Sequence, residues 1–111
     1  MIEIEIKDFL AASLNVPIYF EFPNKPPGTF VVLKKSGNGR ENLLDAATLV
    51  ADSYAPSMLE AAKLNDRVKL AMDALTDLDE ISSSTRAGDY PAFDTANKKY
   101  RYQAVQNITH Y

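Results

Sequence analysis

Four groups of residues in this chain could in principle carry chemistry. The first is His110, the one histidine. A serine-type hydrolase needs a base that exchanges a proton near neutrality, and histidine normally fills that role. His110 stands one residue from Tyr111, where a frayed, solvated tail is expected, so no catalytic duty is assigned to it. The second group, Asp77, Asp79 and Glu80, offers carboxylates to a hard cation but lacks the ligand-rich loop and central glycine of a calcium hand. Acids at a helix C-terminus oppose the helix dipole, so this run reads as a solvated segment where a helix has already ended. The third group, Ser36-Gly37-Asn38-Gly39-Arg40, is glycine-rich and ends in a cation. It has no Gly-Lys-Ser/Thr ending leading into a helix, so a hairpin turn is expected rather than a phosphate cradle.

The fourth group, Lys98-Lys99-Tyr100-Arg101-Tyr102, interleaves cations and aromatic rings as single-strand nucleic-acid binders do. On a strand, however, Tyr100 and Tyr102 share one face while Lys99 and Arg101 share the other. The tyrosines are then expected against the helices and the cations outward, where a charged row guards an edge strand. The net charge of −3 also argues against non-specific binding to phosphates. Neither a cofactor, a metal nor a specific nucleic-acid ligand is expected. Asn107-Ile108-Thr109 matches a glycosylation acceptor, but no secretion signal accompanies it.

The elements that must position these residues follow from periodicity. Ile2, Ile6, Phe9 and Leu10 fall at helical spacing, and Asn15 with Pro17 supplies a stop, because proline disfavours helical geometry at Val16. Residues 18–22, Ile-Tyr-Phe-Glu-Phe, read as a strand, and residues 23–28 as a stiff proline-rich connection. Residues 29–35 read as a second strand. Residues 42–54 are ambiguous: Leu43, Leu44, Asp45, Ala46 and Ala47 suit a helix, yet the two-residue alternation of Leu49, Ala51 and Ser53 with Val50, Asp52 and Tyr54 favours a third strand, over 43–53. Ser57 three residues before Glu60 is a capping-box signature. It opens the principal helix, 57–77, whose apolar stripe is Leu64, Val68, Ala71, Met72 and Leu75. A strand over 78–85, a loop through Gly88, Asp89, Tyr90 and Pro91, and a last strand over 100–109 complete the chain. The expectation is an α+β fold in the order α-β-β-β-α-β-β, with an antiparallel or mixed sheet and both helices on one face.

The 111 residues suit one domain, and 46% hydrophobic with 24% charged residues is ordinary for a packed protein. The absence of cysteine excludes disulfides and thiolate metal sites and leaves no reason to place the chain in an oxidising compartment. Acidic residues follow Met1 where a signal peptide needs basic ones, and no apolar run approaches the roughly 20 residues of a membrane span.

Taken together, these segments resemble the tail-completion proteins (tail terminators, or head-to-tail joining proteins) of long-tailed phages. The likeness comprises the N-terminal helix, the aromatic strand and the proline-rich link before Thr29-Phe30-Val31-Val32-Leu33. It continues through Ser53-Tyr54, the helix carrying Ser57, Ala61, Ala62, Leu64, Val68, Met72 and Leu75, the loop with Tyr90, Phe93 and Asp94, and the closing Tyr100-Arg101-Tyr102 strand. It implies a non-enzymatic virion protein, phage- or prophage-encoded and assembled in the bacterial host cytoplasm. Such a protein forms a ring, usually a hexamer, on the tail tube, and contacts the tail-tube and head-connector proteins. Two other readings share the same composition: a head-closure protein of the connector, and a small monomeric adaptor. Contact residues are expected in loops: Pro26 and Pro27 in the stiff link, Tyr90 and Phe93 as aromatic anchors, and Lys98, Lys99 and Arg101 as cations meeting acidic partner surfaces.

Overall fold

The computed structural model describes residues 2–41, 44–95 and 99–111. Helix α1 spans Ile2–Leu14, with Glu3 and Glu5 at its positive N-terminal end. It stops where expected: Asn15 takes the left-handed conformation at φ 56°, and the Arg67 guanidinium donates to the Leu14 carbonyl. Strand β1 is only Ile18–Tyr19, shorter than the five residues expected. The chain leaves the sheet there because Phe22 is worth more elsewhere. It packs edge-on against Phe30 (5.5 Å) and Tyr54 (5.3 Å), which stack on one another at 4.7 Å. With Val32 and Tyr19 these rings form a small apolar cluster.

Strand β2 (Phe30–Glu41) and strand β3 (Leu44–Ala55) pair antiparallel. The period-two reading of β3 is correct despite its alanines, and the expected position Leu43 lies outside the described residues. The expected hairpin turn at Ser36–Gly39 is not a turn. The strand continues through it with a register shift between Ser36 and Gly39, a bulge, and its pairing with β3 runs on to Glu41 opposite Leu44.

Helix α2 (Met58–Asp73) starts at the N-cap Ser57, whose hydroxyl accepts from the Glu60 amide at 3.2 Å. A 3-10 turn, Ala74–Asp77, follows, and Asp77, Asp79 and Glu80 are exposed beyond the α-helix. Strand β4 runs over Ile81–Asp94 and absorbs the expected loop at Gly88–Pro91; strand β5 spans Lys99–His110. The order of elements is the expected one. The sheet order is β1-β2-β3-β5-β4, with β1 parallel to β2 and every other pairing antiparallel. The last strand is therefore central, not an edge as expected.

Both helices lie on one face. Ile6, Leu10 and Leu14 of α1 and Leu64, Val68, Ala71 and Met72 of α2 bury against Val31, Leu33, Leu49, Ala51 and Ile108 of the sheet, with Leu75 and Ile81 closing the core. The molecule measures 42 × 24 × 23 Å, and its long axis matches a twelve-residue strand at about 3.3 Å per residue. Leu64→Ala and Leu75→Ala each remove a buried side chain from this core and are expected to cost about 2–5 kcal/mol, lowering the melting temperature by roughly 10 °C or more. Thermal denaturation followed by circular dichroism checks this, and unchanged melting in both would show α2 to be packed otherwise.

Candidate protein-contact site

The β4–β5 hairpin carries most of the residues singled out from the sequence. Phe93 and Tyr100 stand opposite each other in register, their rings edge-to-face at 5.2 Å. Packed as a pair they remain 48% and 41% exposed, and Tyr90, opposite Gln103, is 51% exposed. Lys99 is half-buried beside them, whereas Lys98 lies outside the described residues. Lys99 and Tyr100, together with Gly28, Ala55 and Pro56, line an open cleft of about 260 Å³, below the roughly 300–1,000 Å³ of small-molecule sites. The cleft brings the end of the proline-rich link beside the aromatic tip. Pro26 and Pro27 themselves are half-buried. Tyr90 and Phe93 stand on a paired strand, not in the loop expected, and on opposite faces of the sheet; a strand holds them in place at lower entropic cost.

Arg101 departs from its expected outward role. Asp52 of β3 is fully buried on the face without helices. Its Oδ1 accepts from Gln103 Nε2 at 3.0 Å, while Lys34 Nζ and Arg101 Nη1 lie 3.3 and 3.8 Å from Oδ2. Arg101 thus balances a buried charge across the sheet. The sequence signal was a carboxylate between Val50 and Tyr54 on one strand face, a position that requires charged partners on neighbouring strands. Tyr102 is half-buried on the helix side, and Tyr100 on the same face is exposed. His110 is buried and paired in register with Asp45 and Ile81. The expectation of a solvated tail was wrong because β5 runs to its end between two neighbours.

The tip is held by a polar clamp between α2 and β4. Arg86 donates to Asp73 through Nε at 2.9 Å and Nη2 at 2.6 Å, and Gln106 adds a 3.1 Å bond to the same carboxylate. One turn along α2, Asn65 and Lys69 donate to Asp89 at 2.9 and 2.8 Å. Ser84 closes the set with a 2.7 Å bond to the Met72 carbonyl. Arg86 and Asp89, three residues apart, reach the same helix because the register shift between Arg86 and Gly88 inserts an extra residue. Gly88 adopts φ +149° there, a conformation that side-chain-bearing residues rarely take. Hydrogen bonds from Arg86, then Gln106, hold the Asp73 carboxyl below its ordinary range against an opposing burial effect. Lys69, with Asn65, does the same for Asp89.

No protein-family model matches the sequence, and no curated protein sequence matches it. Among solved structures the chain is similar to one in the virion of native gene transfer agent (GTA) particle, at 16% identity over 91% of this chain and 83% of that one, with a TM-score of 0.66. At that identity the likeness establishes a shared fold.

The clamp has a pH signature. Both carboxyls titrate lower folded than unfolded, so their contribution is complete above the unfolded carboxylate range, about pH 4, and is lost as pH falls through the folded values. Urea denaturation from pH 6 to pH 2 should show wild-type stability falling more steeply than that of Asp73→Asn/Asp89→Asn, with the two curves converging at low pH. The separation should be small, since both pairs face water, and should shrink further in high salt. Parallel curves would exclude the clamp from the stability of β4.

Proposed function

We propose that this chain is a structural protein of a phage-like virion, a tail-completion subunit that caps the tail tube and joins it to the head connector, and that it works by contact without catalysing a reaction. The observation that carries the reading is the fold shared with a chain of a gene transfer agent virion over 91% of this chain. The family resemblance of the sequence points the same way. An exposed, edge-to-face aromatic pair on the β4–β5 hairpin suits a protein whose work is adhesion. In this reading the chain acts as a ring of identical subunits. The tip contacts the tail-tube or connector protein, and Lys99 meets acidic groups at the rim of that contact, making attachment weaker in salt.

Deletion of the gene in a producing strain should yield free, filled heads and unjoined, overlong tails in electron micrographs. A gene carrying Tyr90→Ala with Phe93→Ala should fail to restore joining while the purified variant keeps the wild-type circular dichroism spectrum, since both rings are about half exposed. Unjoined tails of normal length would point instead to closure on the head side. Joined particles of normal tail length in the deletion would overturn the reading in favour of a monomeric adaptor.

A further inference from the structure

We propose that copies of this chain join by continuing one subunit's sheet into the next, the outer edge of β4 pairing with the outer edge of β2 in a neighbouring copy. The inference rests on the ring reading above and names the surfaces that close it. β4 is an edge strand over all of its described length. On the opposite side, β1 covers β2 only at Val31 and Val32, so the described backbone of β2 from Leu33 onward has no strand outside it. Two different open edges on opposite sides of one sheet form a heterologous pair, the kind that generates rings when the rotation closes. Closure removes both edges, which otherwise invite uncontrolled association.

Strand direction and level agree with this pairing. β2 and β4 run in opposite directions, because three antiparallel pairings separate them. A rotation about an axis along the strands preserves those directions and sets β4 antiparallel to the neighbour's β2, the more stable ladder. The register fixes which residues then stand at the same height. Thr85 is level with Asn107, Thr48 and Ser36, while Pro91 is level with Tyr102, Ser53 and Val31. Pro91, which has no amide hydrogen, therefore falls at the height where the neighbour's β2 is already covered by β1. The bulge at Gly88 stands at the height of Lys34, at the lower margin of the open stretch. Above it, residues 81–86 contain no proline and face the open part of β2.

The chain has no cysteine, so the pairing can be tested by cross-linking. Ser36 and Thr85 are both exposed. Within one chain they lie three strand spacings apart, roughly 14 Å, beyond the ~4.4–6.8 Å between Cα atoms that a disulfide allows. Oxidation of Ser36→Cys/Thr85→Cys can therefore link only different copies. Ser36→Cys/Ala92→Cys, displaced by about 20 Å along the strand, serves as the control. Native mass spectrometry at rising concentration should find a closed multimer of the full chain. Denaturing gels should show a ladder ending at that number for the matched pair, several-fold stronger than for the control. A multimer with no preference for the matched pair would overturn edge pairing and leave the ring reading standing. A chain that stays monomeric and uncross-linked at every concentration would overturn both.

Discussion

The packing of α2 on β3 and β5 is the contact that the rest of the structure depends on. The helix has one apolar stripe, and Leu64, Val68, Ala71 and Met72 on it meet the residues of the two central strands, Leu49 and Ala51 on one side and Ile108 on the other. Burying that stripe draws the last strand into the middle of the sheet and leaves β4, which precedes it, at the margin. α1 then fills the remaining half of the same face, its C-terminal carbonyl at Leu14 tied to α2 through Arg67. One face of the sheet is thus committed to helices. The other is covered at one end by Phe22 over Phe30 and Tyr54 and carries the buried Asp52 with its partners Gln103, Lys34 and Arg101.

This arrangement explains why the exposed aromatic residues are strand residues. Phe93 and Tyr100 stand at the last level of β3, opposite Ala55, with only the Asp94–Lys99 pair beyond it. Their paired rings there remain about half exposed. Their rigidity comes from the ladder on one side and from the Asp73–Arg86 and Asp89–Lys69 pairs below. The Gly88 bulge allows both pairs to reach a single helix. A regular strand would turn Asp89 to the opposite face and leave Lys69 and Asn65 without that acceptor. Exposed ion pairs contribute little to global stability, so their effect here is to set the path of β4.

The helices were legible in the sequence because their signals are local: Ser57 before Glu60, a continuous stripe from Leu64 to Leu75, and Asn15 and Pro17 at a helix end. The order of elements and the one-sided helix layer followed from these. Strand lengths were less legible, since they depend on partners remote in sequence. Gly88 and Pro91 are turn residues by composition, yet here they are a bulge and a donor-free edge position that an edge strand tolerates. Ser36 to Gly39 read as a turn for the same reason, and the partner strand β3 carried the chain through it. On the β4–β5 hairpin, Tyr90 and Phe93 are exposed aromatics as expected, though on a strand and not in a loop. Arg101 was read as a free cation because its counter-charge, Asp52, lies forty-nine residues earlier and meets it only through the pairing of β3 with β5.

The central claim is that this chain acts by adhesion along its exposed strands. Amide hydrogen exchange, compared between the free chain and the chain within an assembled particle, tests it directly. The account predicts that assembly slows exchange in residues 81–87 and 33–36 and around the tip at 90–93, with little change in β3 and β5, whose amides are already paired on both sides. Identical exchange in the two states, or protection confined to the outer surface of α2, would contradict it.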